Sequence, residues 1–144
     1  MPADNTFYDS AATAWESTPP GARASTHSTA ETTSKIAALA DLKEDWDSYG
    51  AAAIAPAAVA AAQNFVATRL KGTPVPPPAV VPTSAGGVQL EWHGAGADLE
   101  IEFPAAGETL VWFEDQRTGR EEEFPIGSDP SALGPLLERI QGAD

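Results

Sequence analysis

The sequence predicts an α+β fold, with helices packed on one face of an antiparallel meander sheet of three to four strands. Apolar residues recur at helical spacing before residue 72, and they alternate with polar ones between residues 88 and 124. A closing segment, residues 131–140, again fits a helix. The 144 residues suffice for one domain with its own core, which we place at residues 34–144.

Residues 1–33 precede this domain and consist mostly of Ala, Ser, Thr and Pro. After Met1 their only large apolar residues are Phe7, Tyr8 and Trp15, too few to offset the entropy of ordering the chain. We therefore predict a disordered tail. Its aromatic residues could form a docking motif, or Trp15 could fold back onto the domain.

Two N-terminal helices are predicted. The first is capped by Ser34 and ends before Trp46. Its apolar stripe consists of residues three apart: Ile36, Leu39 and Leu42. The second begins at Pro56, since proline is tolerated in a first helical turn, and ends near Gly72. The proline-rich residues after it predict an extended connector to the sheet.

The strands are predicted at residues 88–93, 99–103 and 109–114, with a fourth at 120–124. A hairpin loop at residues 94–97 places Glu91 opposite Glu100.

The same arithmetic over a second loop, residues 104–107, places Ile101 opposite Leu110 and Leu99 opposite Trp112. One face of the sheet is then predicted to form the core: Val88, Leu90, Trp92, Leu99, Ile101, Phe103, Leu110 and Trp112.

The opposite face is predicted to carry six side chains: Glu91, His93, Glu100, Glu102, Val111 and Phe113. Exposed Val111 and Phe113 beside clustered carboxylates are typical of a contact surface, so all six are candidates for binding a partner. A solvated face without a partner, or a face covered by another element, is also compatible with the pattern.

The charge balance bears on the kind of partner. Twenty-one Asp and Glu against eight Lys and Arg give a formal charge of −13. This charge repels nucleic-acid phosphates and anionic membranes, so neither is an expected partner. It favours a protein with a basic surface, although acidity can also serve solubility alone. With no cysteine and no apolar segment of about 20 residues, we expect a cytoplasmic protein without disulfides.

The loop at residues 45–50 begins like a calcium-binding loop, but Pro56 stands where the ligating glutamate belongs. We expect a structural loop with two aromatic residues seated in the core and two aspartates that bond to the backbone. Its candidate residues are Asp45, Trp46, Asp47 and Tyr49.

No catalytic, cofactor or metal site is predicted. His93 and Asp98 face each other at the hairpin end, but the sequence places no nucleophile beside them. The alternative is an enzyme or ligand-binding domain whose site lies between the 45–50 loop and the hairpin of residues 88–103. It would use Asp45, Asp47, Glu91 or His93.

Two sequence motifs carry a resemblance. They are Trp-Asp-Ser-Tyr-Gly-Ala at residues 46–51 and Val-Pro-Thr-Ser-Ala-Gly-Gly-Val-Gln-Leu-Glu-Trp at residues 81–92. Through these motifs, which span about the middle third of the chain, the sequence resembles a group of small uncharacterised bacterial proteins. The resemblance implies a bacterial origin and a shared fold, and it implies no activity or cofactor.

These observations favour a non-enzymatic protein-binding module of the regulatory, antitoxin or immunity kind, whose acidic sheet face engages a basic partner. Besides the enzyme or ligand-binding alternative, a nucleic-acid mimic stays open, because it needs only carboxylates spaced like phosphates along one surface.

Overall fold

The computed structural model describes residues 20–141, with their side chains from residue 29 onward. The predicted α+β class is confirmed, but the antiparallel sheet has five strands instead of three to four, in the order β1-β2-β3-β4-β5. The elements in chain order are α1 (Pro20–Leu39), α2 (Pro56–Phe65), β1 (Ala79–Pro82), β2 (Val88–Gly94), β3 (Ala97–Phe103), β4 (Leu110–Asp115), β5 (Arg120–Pro125) and α3 (Leu133–Arg139).

The first helix begins earlier than the sequence suggested. α1 spans Pro20–Leu39, so the helix starts before the predicted cap at Ser34, while residues 1–19 of the predicted tail lie outside the described part of the chain. Thr32 and Ile36, one turn apart, are both buried, and Leu39 packs against the core. So narrow a contact stripe on an otherwise polar helix gives little hydrophobic periodicity.

The second helix agrees with its prediction. Pro56 occupies its first turn, and the helix continues as a π-helical turn, Val66–Leu70, that ends before Gly72. In that turn the Lys71 amide donates to the Val66 carbonyl five residues back, at 3.0 Å. The helix buries a row of small and large side chains against the sheet: Ala58, Ala62, Phe65, Val66 and Leu70.

The strand absent from the prediction is β1, which pairs with β2 so that Val80 lies opposite Leu90. It lies at the edge of the sheet and ends in Pro82. Edge strands tolerate proline because one side needs no ladder hydrogen bonds. The proline-rich connector before it obscured the strand in the sequence.

The hairpin of β2 and β3 has the predicted register, with Glu91 opposite Glu100 and Trp92 opposite Leu99. Its turn is tighter than predicted, because pairing extends to Gly94 and Ala97. The two turn residues, Ala95 and Gly96, both have positive φ (56° and 77°), as in a type I′ turn.

The predicted register of β3 with β4 is wrong by one residue. Leu99 pairs with Phe113, and Glu100 pairs with Trp112. A shift of one residue moves every side chain of a strand to the other face. Val111 and Phe113, predicted on the outer face, are therefore in the core at 0% and 1% exposure, while Leu110 and Trp112 lie outside.

All three helices contribute to a core on one side of the sheet, which includes Ile36, Ala62, Leu90, Ile101 and Leu136. Among the described residues, no helix is both long and apolar enough to cross a membrane.

An ion pair joins α3 to the end of β4. Asp115 accepts hydrogen bonds from Arg139 Nε at 3.1 Å and Nη2 at 3.3 Å, and from the Arg117 amide at 2.9 Å. The Arg139 guanidinium is the largest cause that holds the pKa of Asp115 below its ordinary value. The pair fixes the last helix against the sheet.

Candidate functional site

The side of the sheet turned away from the helices, which we call the outer face, is acidic. Its cross-strand rows follow from the register, and one row runs Glu91, Glu100, Trp112 and Glu123 from β2 to β5. Neighbours in a row are about 5 Å apart, and successive outer residues of one strand are about 7 Å apart. The carboxylates of the outer face are Glu91, Asp98, Glu100, Glu102, Glu114, Glu121 and Glu123.

No Lys or Arg occupies the strand positions of the outer face in the part of the chain that the structure describes. Among the described strand residues of the outer face, His93 alone can carry positive charge, and it lies between two carboxylates. Its Nε2 is 3.0 Å from Glu91 Oε1, and its Nδ1 is 2.8 Å from Asp98 Oδ1. These hydrogen bonds, that of Glu91 first, raise the pKa of His93 above its ordinary value of 6.5.

The Glu91 and Glu100 pair, which the sequence predicted to lie opposite each other, is bridged by an amide. Gln89 Nε2 donates to Glu91 Oε2 at 2.5 Å and lies 3.3 Å from Glu100 Oε1. Burial, followed by the charge of Glu91, raises the pKa of Glu100. The bridge reduces the repulsion, and Glu100 still lacks a cationic neighbour at hydrogen-bond distance among the described residues.

Three residues of this cluster could hold a metal ion. Glu91, His93 and Glu100 each offer one ligand atom, and these atoms lie within 4.8 Å of one another. Carboxylate and imidazole ligands suit divalent transition metals. Both imidazole nitrogens already have carboxylate partners, so an ion would have to displace the contact between His93 and Glu91.

A shallow groove of about 260 Å³ crosses the middle of the outer face and has Trp112 in its wall. The indole Nε1–H donates to Glu121 Oε2 at 3.0 Å, which satisfies the ring's polar edge. Leu110, at 38% exposure, lies beside it. The lining residues are Gln89, Glu100, Glu102, Leu110, Trp112 and Glu123.

Leu110 and Trp112 were not candidates in the sequence, because the predicted register put them in the core. One sequence signal could have placed Trp112 outside: an indole N–H needs a hydrogen-bond acceptor, and the acidic segment of residues 121–123 offers acceptors on the next strand.

The loop candidates behave as backbone caps. Asp45 Oδ1 accepts from the Gly50 amide at 2.7 Å, and Asp47 Oδ1 accepts from the amides of Tyr49 at 2.8 Å and Ala51 at 3.1 Å. Trp46 is partly buried against the core, as expected. Tyr49 is 91% exposed, so its predicted place in the core is wrong.

The two motifs that carried the resemblance meet in the structure. The Ala52 amide donates to the Ser84 carbonyl and the Ala55 amide to the Gly86 carbonyl, both at 2.9 Å. The chain just after the first motif is thus joined to the turn that opens β2, and the motifs form a structural junction.

That junction lies at the start of β2, whereas His93 lies five residues beyond Val88, about 16 Å along the strand. A second pocket, of about 270 Å³, is lined in part by Glu91 and His93 and by no residue of the 45–50 loop. The structure therefore does not bring the loop candidates together with Glu91 and His93.

Comparison with known proteins does not indicate a function for this chain. No family model matches the chain, and no match was found among curated proteins or solved structures. The resemblance in the two motifs stays a prediction. What the outer face can do chemically has to be inferred from its own charges, ring and groove.

Proposed function

We propose that this chain is a non-enzymatic binding module whose outer face docks onto a basic surface of another protein. One observation carries the proposal: seven carboxylates occupy the strand positions of this face, and no Lys or Arg does among the described residues. Such a one-signed surface attracts a partner of opposite charge and disfavours partners of like charge.

The apolar residues of the outer face support a protein partner over a small ion. Protein interfaces combine an apolar or aromatic centre with a polar rim. Trp112 and Leu110 lie between Glu100 and Glu102 on β3 and the acidic strand β5. A regulatory, antitoxin-like or immunity-like role in the cytoplasm is the biological setting that we propose for such a module.

The geometry gives less support to an enzyme. Within the described residues, the hydrogen-bond partners of His93 are the carboxylates of Glu91 and Asp98, and neither is a hydroxyl nucleophile. The carboxylates of Asp45 and Asp47 accept hydrogen bonds from backbone amides of the loop and its immediate end.

A pair of matched charge reversals tests the proposal. Glu100→Lys with Glu102→Lys alters the outer face, whereas Glu44→Lys with Glu138→Lys changes the net charge equally at exposed positions away from it. Each variant and the unaltered chain are immobilised and exposed to an extract of the cells that express the protein. Circular dichroism checks that every variant is folded.

We expect a protein with a basic surface to be retained by the unaltered chain and by the Glu44 and Glu138 control, and to be lost from the Glu100 and Glu102 variant. Raised salt should release it, because exposed charges are screened over about 8 Å at physiological ionic strength. Equal recovery on all three proteins would show that the outer face is not the binding surface. Competition by duplex DNA for the captured partner would favour the mimic alternative.

A further inference from the structure

We infer that the groove beside Trp112 is a docking site for an arginine side chain of the basic partner, with the guanidinium stacked on the indole and bonded to the flanking glutamates. The inference rests on the proposed function and names the partner's side chain. It follows from the ring's position between carboxylates, from the groove's size and from a similar arrangement on the other face.

The indole is flanked by acceptors on both sides. Glu100 lies opposite Trp112 on β3, and Glu123 lies opposite it on β5. Strand spacing puts each about 5 Å from the ring's own strand. A planar guanidinium lying over the ring can direct its N–H groups to both sides at once, which the compact ammonium of lysine does less well.

The ring is held in place with its polar edge satisfied. Because Glu121 accepts the indole N–H at 3.0 Å, the indole needs no further polar partner. Leu110 offers apolar contact for the methylene groups of an arginine stem. A groove of about 260 Å³ suits a single side chain.

The inner face of the same two strands already holds this chemistry. Arg120 lies over the Phe113 ring, 5.7 Å from its centroid, and forms an ion pair with Glu122. Phe113 on β4 lies opposite Glu122 on β5, just as Trp112 lies opposite Glu123. None of the residues that line the outer groove is an arginine or a lysine, although the groove carries the better cation–π ring and a second carboxylate, Glu100.

The environment of Glu100 favours an arriving cation. Glu100 is partly buried and lies opposite Glu91, so its carboxylate is less well solvated than an exposed one and has a like charge beside it. A guanidinium bound beside it would offset both effects. A methylated lysine is a poorer fit, because cages for such groups use several aromatic rings and Trp112 is the one ring that lines this groove.

Two capped peptides of equal charge, hexa-arginine and hexa-lysine, test the inference on the full chain. Fluorescence anisotropy of the labelled peptides gives Kd at low ionic strength. We expect hexa-arginine to bind about three- to fivefold more tightly. Trp112→Leu should reduce this ratio to about one while both peptides still bind, and Trp112→Phe should keep part of it. Tyr49→Leu, which removes an exposed ring beside Asp45 and Asp47, should leave the ratio unchanged.

The outcomes separate the inference from the proposed function. Equal binding of both peptides by the unaltered chain, or an unchanged ratio in Trp112→Leu, would overturn the arginine site and leave the acidic docking face standing. If Glu100→Lys with Glu102→Lys weakens neither peptide, the proposed function fails with it. An indole N–H resonance of Trp112, assigned by its loss in Trp112→Phe, should shift with hexa-arginine more than with hexa-lysine.

Discussion

Glu100 and Trp112 lie directly opposite each other on β3 and β4, on the side of the sheet away from the helices. The pairing puts the largest aromatic ring of the outer face beside a carboxylate whose pKa is raised by burial and by Glu91. It exists because β4 is shifted by one residue from the register that the loop length suggested. The consequences of that shift can be measured.

Truncation of neighbouring aromatic residues tests the register. Phe113→Ala should lower the free energy of unfolding by about 3–5 kcal/mol, because it opens a cavity in the core. Trp112→Ala should cost only about 1–1.5 kcal/mol, mainly through the lost hydrogen bond to Glu121. Urea unfolding at neutral pH measures both. A larger loss for Trp112→Ala would restore the register expected from the sequence.

Sequence alternation could not have decided this register. Residues 110–113, Leu-Val-Trp-Phe, are apolar throughout, so either alternate pair could face the core. In the β2–β3 hairpin, by contrast, Leu90 and Trp92 alternate with polar residues, and the register was predicted correctly. Packing against the helices decides which residues of β4 face the core, and such long-range packing is not visible in the local sequence pattern.

The N-terminal helix was underestimated for a related reason. Among the described side chains of α1, those in or against the core are Thr32, Ile36 and Leu39, and a buried threonine is not a hydrophobic signal. For the outer face, the acidic residues Glu91, Glu100 and Glu102 could be placed from the hairpin register alone. The groove could not, since it depends on which face carries Trp112.

Gly87 tests the junction between the two motifs. A Cβ there would lie 2.7 Å from the Phe103 carbonyl oxygen and 3.0 Å from Thr83 Oγ1. Since the nearest atom is backbone, Gly87→Ala should destabilise the fold by about 1–3 kcal/mol. Gly127→Ala is the matched control, because a Cβ meets nothing within 4 Å at this exposed position and its φ is not positive, so we expect a change within about 0.5 kcal/mol. Thermal unfolding that ranks the two variants in the opposite order would refute the close approach.

The pH dependence of stability tests the His93 cluster. A raised folded-state pKa means that His93 contributes stability below its unfolded pKa of about 6.5, and that this contribution is lost as pH rises through the folded pKa. Relative to His93→Gln, the unaltered chain should therefore be more stable at pH 6 than at pH 8.

The raised pKa of Glu100 acts in the same direction at lower pH, so the difference between the two proteins isolates the histidine. Melting temperatures taken every half pH unit measure it. A difference that grows toward pH 8 would mean that Glu91 and Asp98 do not hold the imidazolium in solution.

A ¹⁵N–¹H NMR titration with capped hexa-lysine tests most directly whether the outer face receives basic groups. This peptide does not depend on stacking against Trp112. We expect shifts centred on Glu91, Glu100 and Glu102 that fade as salt is raised, with little change in α2 and α3. Shifts of equal size around the exposed carboxylates Glu44 and Glu138, or centred on the helices, would contradict it.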